Sequence, residues 1–193
     1  MKLTAERLVA FLLLIALSVG FGFGFDAVAT TIERHQYPKN ESLAQSVTQM
    51  SEEYGIPEPI LWAVLHTGSR FASNHISEAG SIGLMQLKPE QLSFICTELW
   101  QKEPMDAGML YDPATNLAAG SAYLSYLFAR YGVWDQVFAA YLVGTEIVDA
   151  WLSDPTVISQ QGVLKNIPDR DVASYVKNVT EAVKQYTKLY YQS

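Results

Sequence analysis

The sequence predicts an all-α domain behind an apolar N-terminal segment, and three observations carry that prediction. Apolar residues recur at helical spacing near the end of the chain, at Val172, Tyr175, Val176, Val179, Val183, Tyr186 and Leu189. Helix boundaries are marked elsewhere: Pro59, Pro89 and Asp112-Pro113 suit first turns, and Gly55 and Gly144 suit ends. No stretch sustains the period-two alternation of a half-buried strand.

The N-terminus comes first. Lys2 and Arg7 precede Leu8 to Phe25, eighteen residues without a charge. At about 1.5 Å per residue such a helix is roughly 27 Å long, close to the hydrocarbon thickness of a bilayer. Residues 1–25 are therefore expected to anchor the chain in a membrane as a single-pass helix. A cleaved signal stays open, because Ala27-Val28-Ala29 offers a small-residue cleavage site. Either way, the basic start places the remainder outside the cytoplasm. Residues 26–40, ending in Tyr37-Pro38-Lys39-Asn40, read as a juxtamembrane linker, and residues 41–193 as one domain.

Within the domain, Glu41 to Tyr54 reads as a helix with Leu43, Val47 and Met50 on one side. Ile60 to Thr67 is apolar nearly all round, which predicts a central, buried helix. Residues 72–88 form a Ser-, Gly- and Asn-rich loop, Pro89 opens a helix to about Trp100, and residues 101–111 are irregular. Asp112 caps a helix to about Tyr131 with a stripe of Leu117, Gly120, Leu124, Leu127 and Phe128. Trp134 to Leu142 is a short apolar helix, and another runs from about Ile147 to Leu152.

Composition excludes several classes of function. The 193 residues carry 20 acidic and 13 basic side chains; without Lys2, Glu6 and Arg7 the balance from Asp26 onward is 19 to 11. No basic run is available to neutralise phosphates, so no nucleic-acid partner is expected. Cys96 is alone, which rules out an internal disulfide, and His35, His66 and His75 lack metal-ligand spacing. No metal site and no cofactor is expected.

The segments Gly68-Ser69-Arg70-Phe71, Ser81-Ile82-Gly83-Leu84-Met85-Gln86, Asp112-Pro113-Ala114-Thr115-Asn116-Leu117, Gly120-Ser121-Ala122-Tyr123-Leu124, Ala139-Ala140-Tyr141-Leu142-Val143-Gly144 and Ile167-Pro168…Tyr175-Val176 follow one another in the chain. In content and order they resemble the lytic transglycosylase (SLT) domain, a relative of goose-type lysozyme that cleaves bacterial peptidoglycan. The resemblance runs from about Tyr54 to the end and implies a lysozyme-like helical fold. It also implies glycan strands as the partner, with other cell-wall enzymes as further candidates.

Two positions depart from the family pattern. The family's first motif reads Glu-Ser-x-Phe, and its Glu donates a proton to the glycosidic oxygen. The same Glu then serves as base while the muramic 6-hydroxyl closes a 1,6-anhydro ring. Gly68 stands at that position and has no titratable group. A positioned acid/base contributes about 10²–10⁴ in rate. Leu142 replaces the family Asn, whose amide contacts the sugar N-acetyl region, and Val143 replaces a small Ala.

By the same resemblance, Ser69 would hydrogen-bond near the cleft, Met85 and Gln86 would line sugar subsites, and Tyr141 and Tyr175 would flank the missing carboxylate. The expectation is a degenerate, glycan-binding or scaffolding member of the family. Two other readings stay open: an active enzyme with a relocated acid, Glu78 or Glu146 being the candidates, and a protein-binding scaffold without glycan affinity.

Overall fold

A computed structural model describes residues 28–192. The apolar run Leu8 to Phe25 lies outside these residues. Among those described, no helix is long and apolar enough to cross a membrane. The chain divides into two units, Met1–Pro38 and Lys39–Ser193. In the first, residues 28–36 are helical, although they fall in the stretch read as a linker. That helix has no Gly or Pro to interrupt it until Pro38, which disfavours helical geometry at the residue before it.

The regular structure of the second unit is helical, and among the described residues its only β features are three isolated bridges in loops. A 3₁₀ turn, Glu41–Leu43, is capped by Asn40 and leads into α1, Ala44–Tyr54. Gly55 ends α1 in the left-handed region at φ 66°. Helix α2 spans Glu58–Ser69, with Pro59 in its first turn. Helix α3, Pro89–Phe94, continues as a π-helical turn over Ile95–Leu99. The expected helix to Trp100 is thus present in extent but changes its winding, with Trp100 N–H donating to the Ile95 carbonyl.

The stretch 101–111 is less irregular than expected. Asp106 accepts a hydrogen bond from Gly108 N–H and starts a 3₁₀ turn, Ala107–Tyr111. Helix α4, Pro113–Tyr131, begins at the Asp112 cap and stops at Gly132. Helices α5, Trp134–Val143, and α6, Thr145–Leu152, meet at Gly144. Helix α7, Arg170–Tyr190, closes the unit.

The core is built around α2. Ile60, Leu61, Trp62, Ala63, Val64 and Leu65 are all buried, as the apolar girth of that helix requires. Its most extensive partner is α7, which buries Val172, Val176, Val179, Ala182, Tyr186 and Leu189. Each large aliphatic side chain removed from water in this way contributes about 1.5–3 kcal/mol. Helix α5 packs on both α7 and α4, and α1 on α4. Phe128 departs from the expected α4 stripe: it is exposed and stacks on Trp134 at 4.4 Å.

The two ends of the unit are tied together. Lys39 Nζ donates to the Tyr191 hydroxyl at 2.8 Å and lies 4.2 Å from the centre of that ring. Glu58 accepts from Tyr191 and from Thr48. Burial by itself would raise the Glu58 carboxyl, but the Tyr191 and Thr48 hydroxyls and the Lys39 ammonium hold it below its ordinary value.

Candidate functional site

A cleft of about 420 Å³ opens beside the last turn of α2, walled by the 72–88 loop, the end of α5 and the start of α7. Gly68, Gln86, Tyr141, Leu142 and Tyr175 all line it, so five of the seven expected site residues converge. Ser69 and Met85 do not. Both are buried, and both hold the loop in place.

The loop is organised from behind by Asn116, a fully buried residue of α4. Its Oδ1 accepts from Met85 N–H at 2.7 Å, and its Nδ2 donates to the carbonyls of Ile82 (2.9 Å) and Leu110 (2.8 Å). Gly83, at φ +83°, leaves room for that amide: a Cβ there would lie 2.2 Å from Asn116 Nδ2. Met85 then runs inward against Gly120, where a Cβ would lie 2.4 Å from its sulfur. Its expected place on the sugar subsites is taken instead by packing under the loop. The Ser69 hydroxyl donates to Leu84 O at 2.7 Å, with Leu65 O at 3.3 Å, and so joins the end of α2 to the loop rather than reaching the cleft.

Gln86 turns into the cleft at φ 56°, an uncommon conformation for a non-glycine residue. Its Nε2 donates to Gly83 O (2.8 Å) and His75 O (3.1 Å), so its donor is spent within the loop. Its Cγ lies 3.2 Å from where a Cβ on Gly68 would stand. Arg70 and Phe71 are also left-handed, at φ 50° and 67°. Backbone strain therefore gathers where α2 meets the loop.

Tyr141 is almost fully buried and donates to Met85 O at 2.9 Å. Burial drives its phenol well above the ordinary value, and the neighbouring Tyr175 and Tyr123 add to the shift. Burial also raises Tyr175. Both rings are neutral at physiological pH and can donate hydrogen bonds but not act as bases. Gln91 supports the same wall: Nε2 donates to Tyr141 O at 2.9 Å, and Oε1 accepts from Lys88 N–H at 2.8 Å.

Two carboxylates missed by sequence reasoning reach the cleft, Asp169 and Asp171. Both are exposed and stand at the start of α7. Asp169 Oδ1 caps the helix, accepting from the N–H groups of Asp171 (2.8 Å) and Val172 (3.1 Å). The signal was present as Pro168-Asp169-Arg170-Asp171 ahead of an apolar stripe, a capping pattern. Glu146 lines a neighbouring recess of about 320 Å³ that shares Lys88, Gln91, Leu142 and Val143 with the cleft. Glu78 lines neither recess.

The helical frame, the buried Asn116 clamp and the cleft at the end of the central helix define a lysozyme-like domain. The chain belongs to the transglycosylase SLT domain family, whose family model matches residues 45–159. It is 30% identical over 127 residues to the soluble lytic murein transglycosylase of Escherichia coli, which is 64% of this chain and 20% of that protein. It is 32% identical over 113 residues to membrane-bound lytic murein transglycosylase C of Yersinia enterocolitica, covering 58% of this chain and 32% of that one. The chain thus spans only a fifth to a third of the length of these relatives.

Among solved structures, the 70 kDa soluble lytic transglycosylase of Escherichia coli superposes with a TM-score of 0.70 at 24% identity, over 81% of this chain and 25% of that one. A complex of the 70 kDa soluble lytic transglycosylase with bulgecin A gives 0.71 at 25% identity, over 83% and 26%.

Proposed function

We propose that this protein is a catalytically degenerate SLT-domain protein that binds peptidoglycan glycan strands outside the cytoplasm, held at the membrane by residues 1–25. The observation that carries the reading is Gly68 on the cleft wall beside Tyr141 and Tyr175. The resemblance calls for a carboxyl there, and neither neutral phenol can replace one. Leu142 on the same wall supports the reading, because it removes a polar contact as well as the acid. The relatives named as murein transglycosylases supply the substrate class.

The test is incubation of the purified full-length chain with isolated peptidoglycan, followed by analysis of the released fragments. No 1,6-anhydromuropeptide above a buffer control is expected. Release of such products, abolished by replacing Asp169, Asp171, Glu78 or Glu146, would establish a relocated acid instead.

A further inference from the structure

One partition serves two recesses. The cleft beside Gly68 and the neighbouring recess share Lys88, Gln91, Leu142 and Val143. A glycan strand that occupies both must cross these four residues.

The partition is poorly held by its own helix. Helix α5 makes its last backbone bond from Gly144 N–H to Ala140 O at 2.8 Å, and Gly144, at φ 89° and ψ 163°, turns the chain out of helical geometry. Tyr141 O is thus one of the terminal carbonyls of α5 and receives no backbone N–H. Leu142 and Val143 follow it with no polar side-chain atom to tie them down.

Gln91 closes that gap. Its Nε2 donates to Tyr141 O at 2.9 Å, and its Oε1 accepts from Lys88 N–H at 2.8 Å. These partners fix the orientation of the amide, since a carbonyl can only accept and an N–H can only donate. One side chain therefore joins both sides of the partition, the exit of the 72–88 loop at Lys88 and the end of α5 at Tyr141. The Tyr141 hydroxyl, donating to Met85 O at 2.9 Å, ties the same turn of α5 to the loop a second time.

We infer that Gln91 is the positioning residue of a glycan-binding groove that runs through both recesses, setting where Leu142 and Val143 stand against the strand. The inference rests on the glycan-binding reading above. Gln91 acts through the Tyr141 carbonyl and need not touch a sugar. Without its N–H the carbonyl is left partly buried and unpaired, and the end of α5 must turn toward water, taking Leu142 and Val143 with it. Beyond the partition, Phe94 and Tyr123 line the recess and offer ring surface to the next part of the strand.

The experiment measures binding of a hexamer of N-acetylglucosamine, an uncharged probe, to the full-length chain in mild detergent. Gln91→Glu keeps an oxygen for Lys88 N–H and removes only the donor to Tyr141 O. It is expected to bind the hexamer about tenfold more weakly than wild type at about pH 7. A carboxyl at this partly buried place, facing a carbonyl, titrates above the ordinary glutamate value of about 4.3. Its protonated form regains an O–H donor, so most of the lost affinity should return at about pH 4. Gln91→Met, uncharged and close in size, should bind weakly at both pH values, and it carries the affinity test if the added charge unfolds Gln91→Glu.

Lys88, Glu90, Glu146, Asp169 and Asp171 line the same recesses, so each variant is compared with wild type at the same pH. Wild-type affinity in both variants at neutral pH would overturn the inference and leave glycan binding standing. Equal recovery of Gln91→Met at low pH would also overturn it, since the returning proton would then lie elsewhere. No binding of the hexamer by the wild type would overturn the glycan-binding reading itself.

Discussion

In the proposed reading Gly68 stands where an acid/base site needs a carboxyl, and the geometry says how far restoring one would go. Gly68 sits in a regular helical turn, where a residue such as glutamate is favoured over glycine by up to about 1 kcal/mol. Against that, a Cβ would meet Gln86 Cγ at 3.2 Å, so Gln86 must give by a few tenths of an ångström. Gly68→Glu is therefore expected to fold with nearly unchanged stability and to show weak anhydromuropeptide release at most. Adding Leu142→Asn should raise the release distinctly, because misplacing the sugar by an ångström can cost about a hundredfold. Equal rates for the single and double variants would show that Leu142 is no second lesion.

Asn116 carries the opposite kind of importance. Asn116→Ala orphans the Met85 N–H and the Leu110 carbonyl and leaves the Ile82 carbonyl only its bond from Leu87 N–H, all against a buried side chain. Its cost is expected to be on the order of 3 kcal/mol in urea unfolding. The loop should also lose protection from amide exchange at Met85.

At the scale of elements, the helices were legible because periodicity and punctuation act locally. Val172 to Leu189 repeats at the helical period, and the observed α7 buries that face, with Ala182 taking the core position next to the half-exposed Val183. The site was legible only in part. Gln86, Tyr141, Leu142 and Tyr175 face the cleft with Gly68, but Ser69 and Met85 turn inward. Nothing along the chain tells which of two adjacent loop residues points in; that is set by a left-handed Gln86 and by the space over Gly120. Asp169 and Asp171 became site residues only because α7 delivers its first turn to α2 across a hundred residues of chain. Leu65→Ala, in the fully buried face of α2, is expected to cost about 2–5 kcal/mol by leaving a cavity. Chemical denaturation would read a lower midpoint with an unchanged slope.

For the molecule as a whole, the N-terminal eighteen-residue apolar run is the feature on which the proposed membrane anchoring rests. Removing residues 1–29 is expected to release the protein into the soluble fraction with the second unit still folded, read as cooperative thermal unfolding by circular dichroism. If the full-length chain is instead recovered from the medium trimmed near Ala29, the segment is a cleaved signal and the anchor proposal fails.

The bond between Lys39 and Tyr191 joins residues 152 positions apart at the two ends of the folded unit. Ends that meet make the order of the chain dispensable: a flexible bridge from residue 192 to residue 39 need span no more than the reach of the Lys39 and Tyr191 side chains, and new ends can be opened elsewhere. The stretch between Leu152 and Arg170 is the natural place, since it contains no helix and is mostly exposed. A circular permutant opened there is expected to keep the wild-type helical spectrum and cooperative unfolding. A non-cooperative melt would mean that the Lys39–Tyr191 seam needs free ends to close.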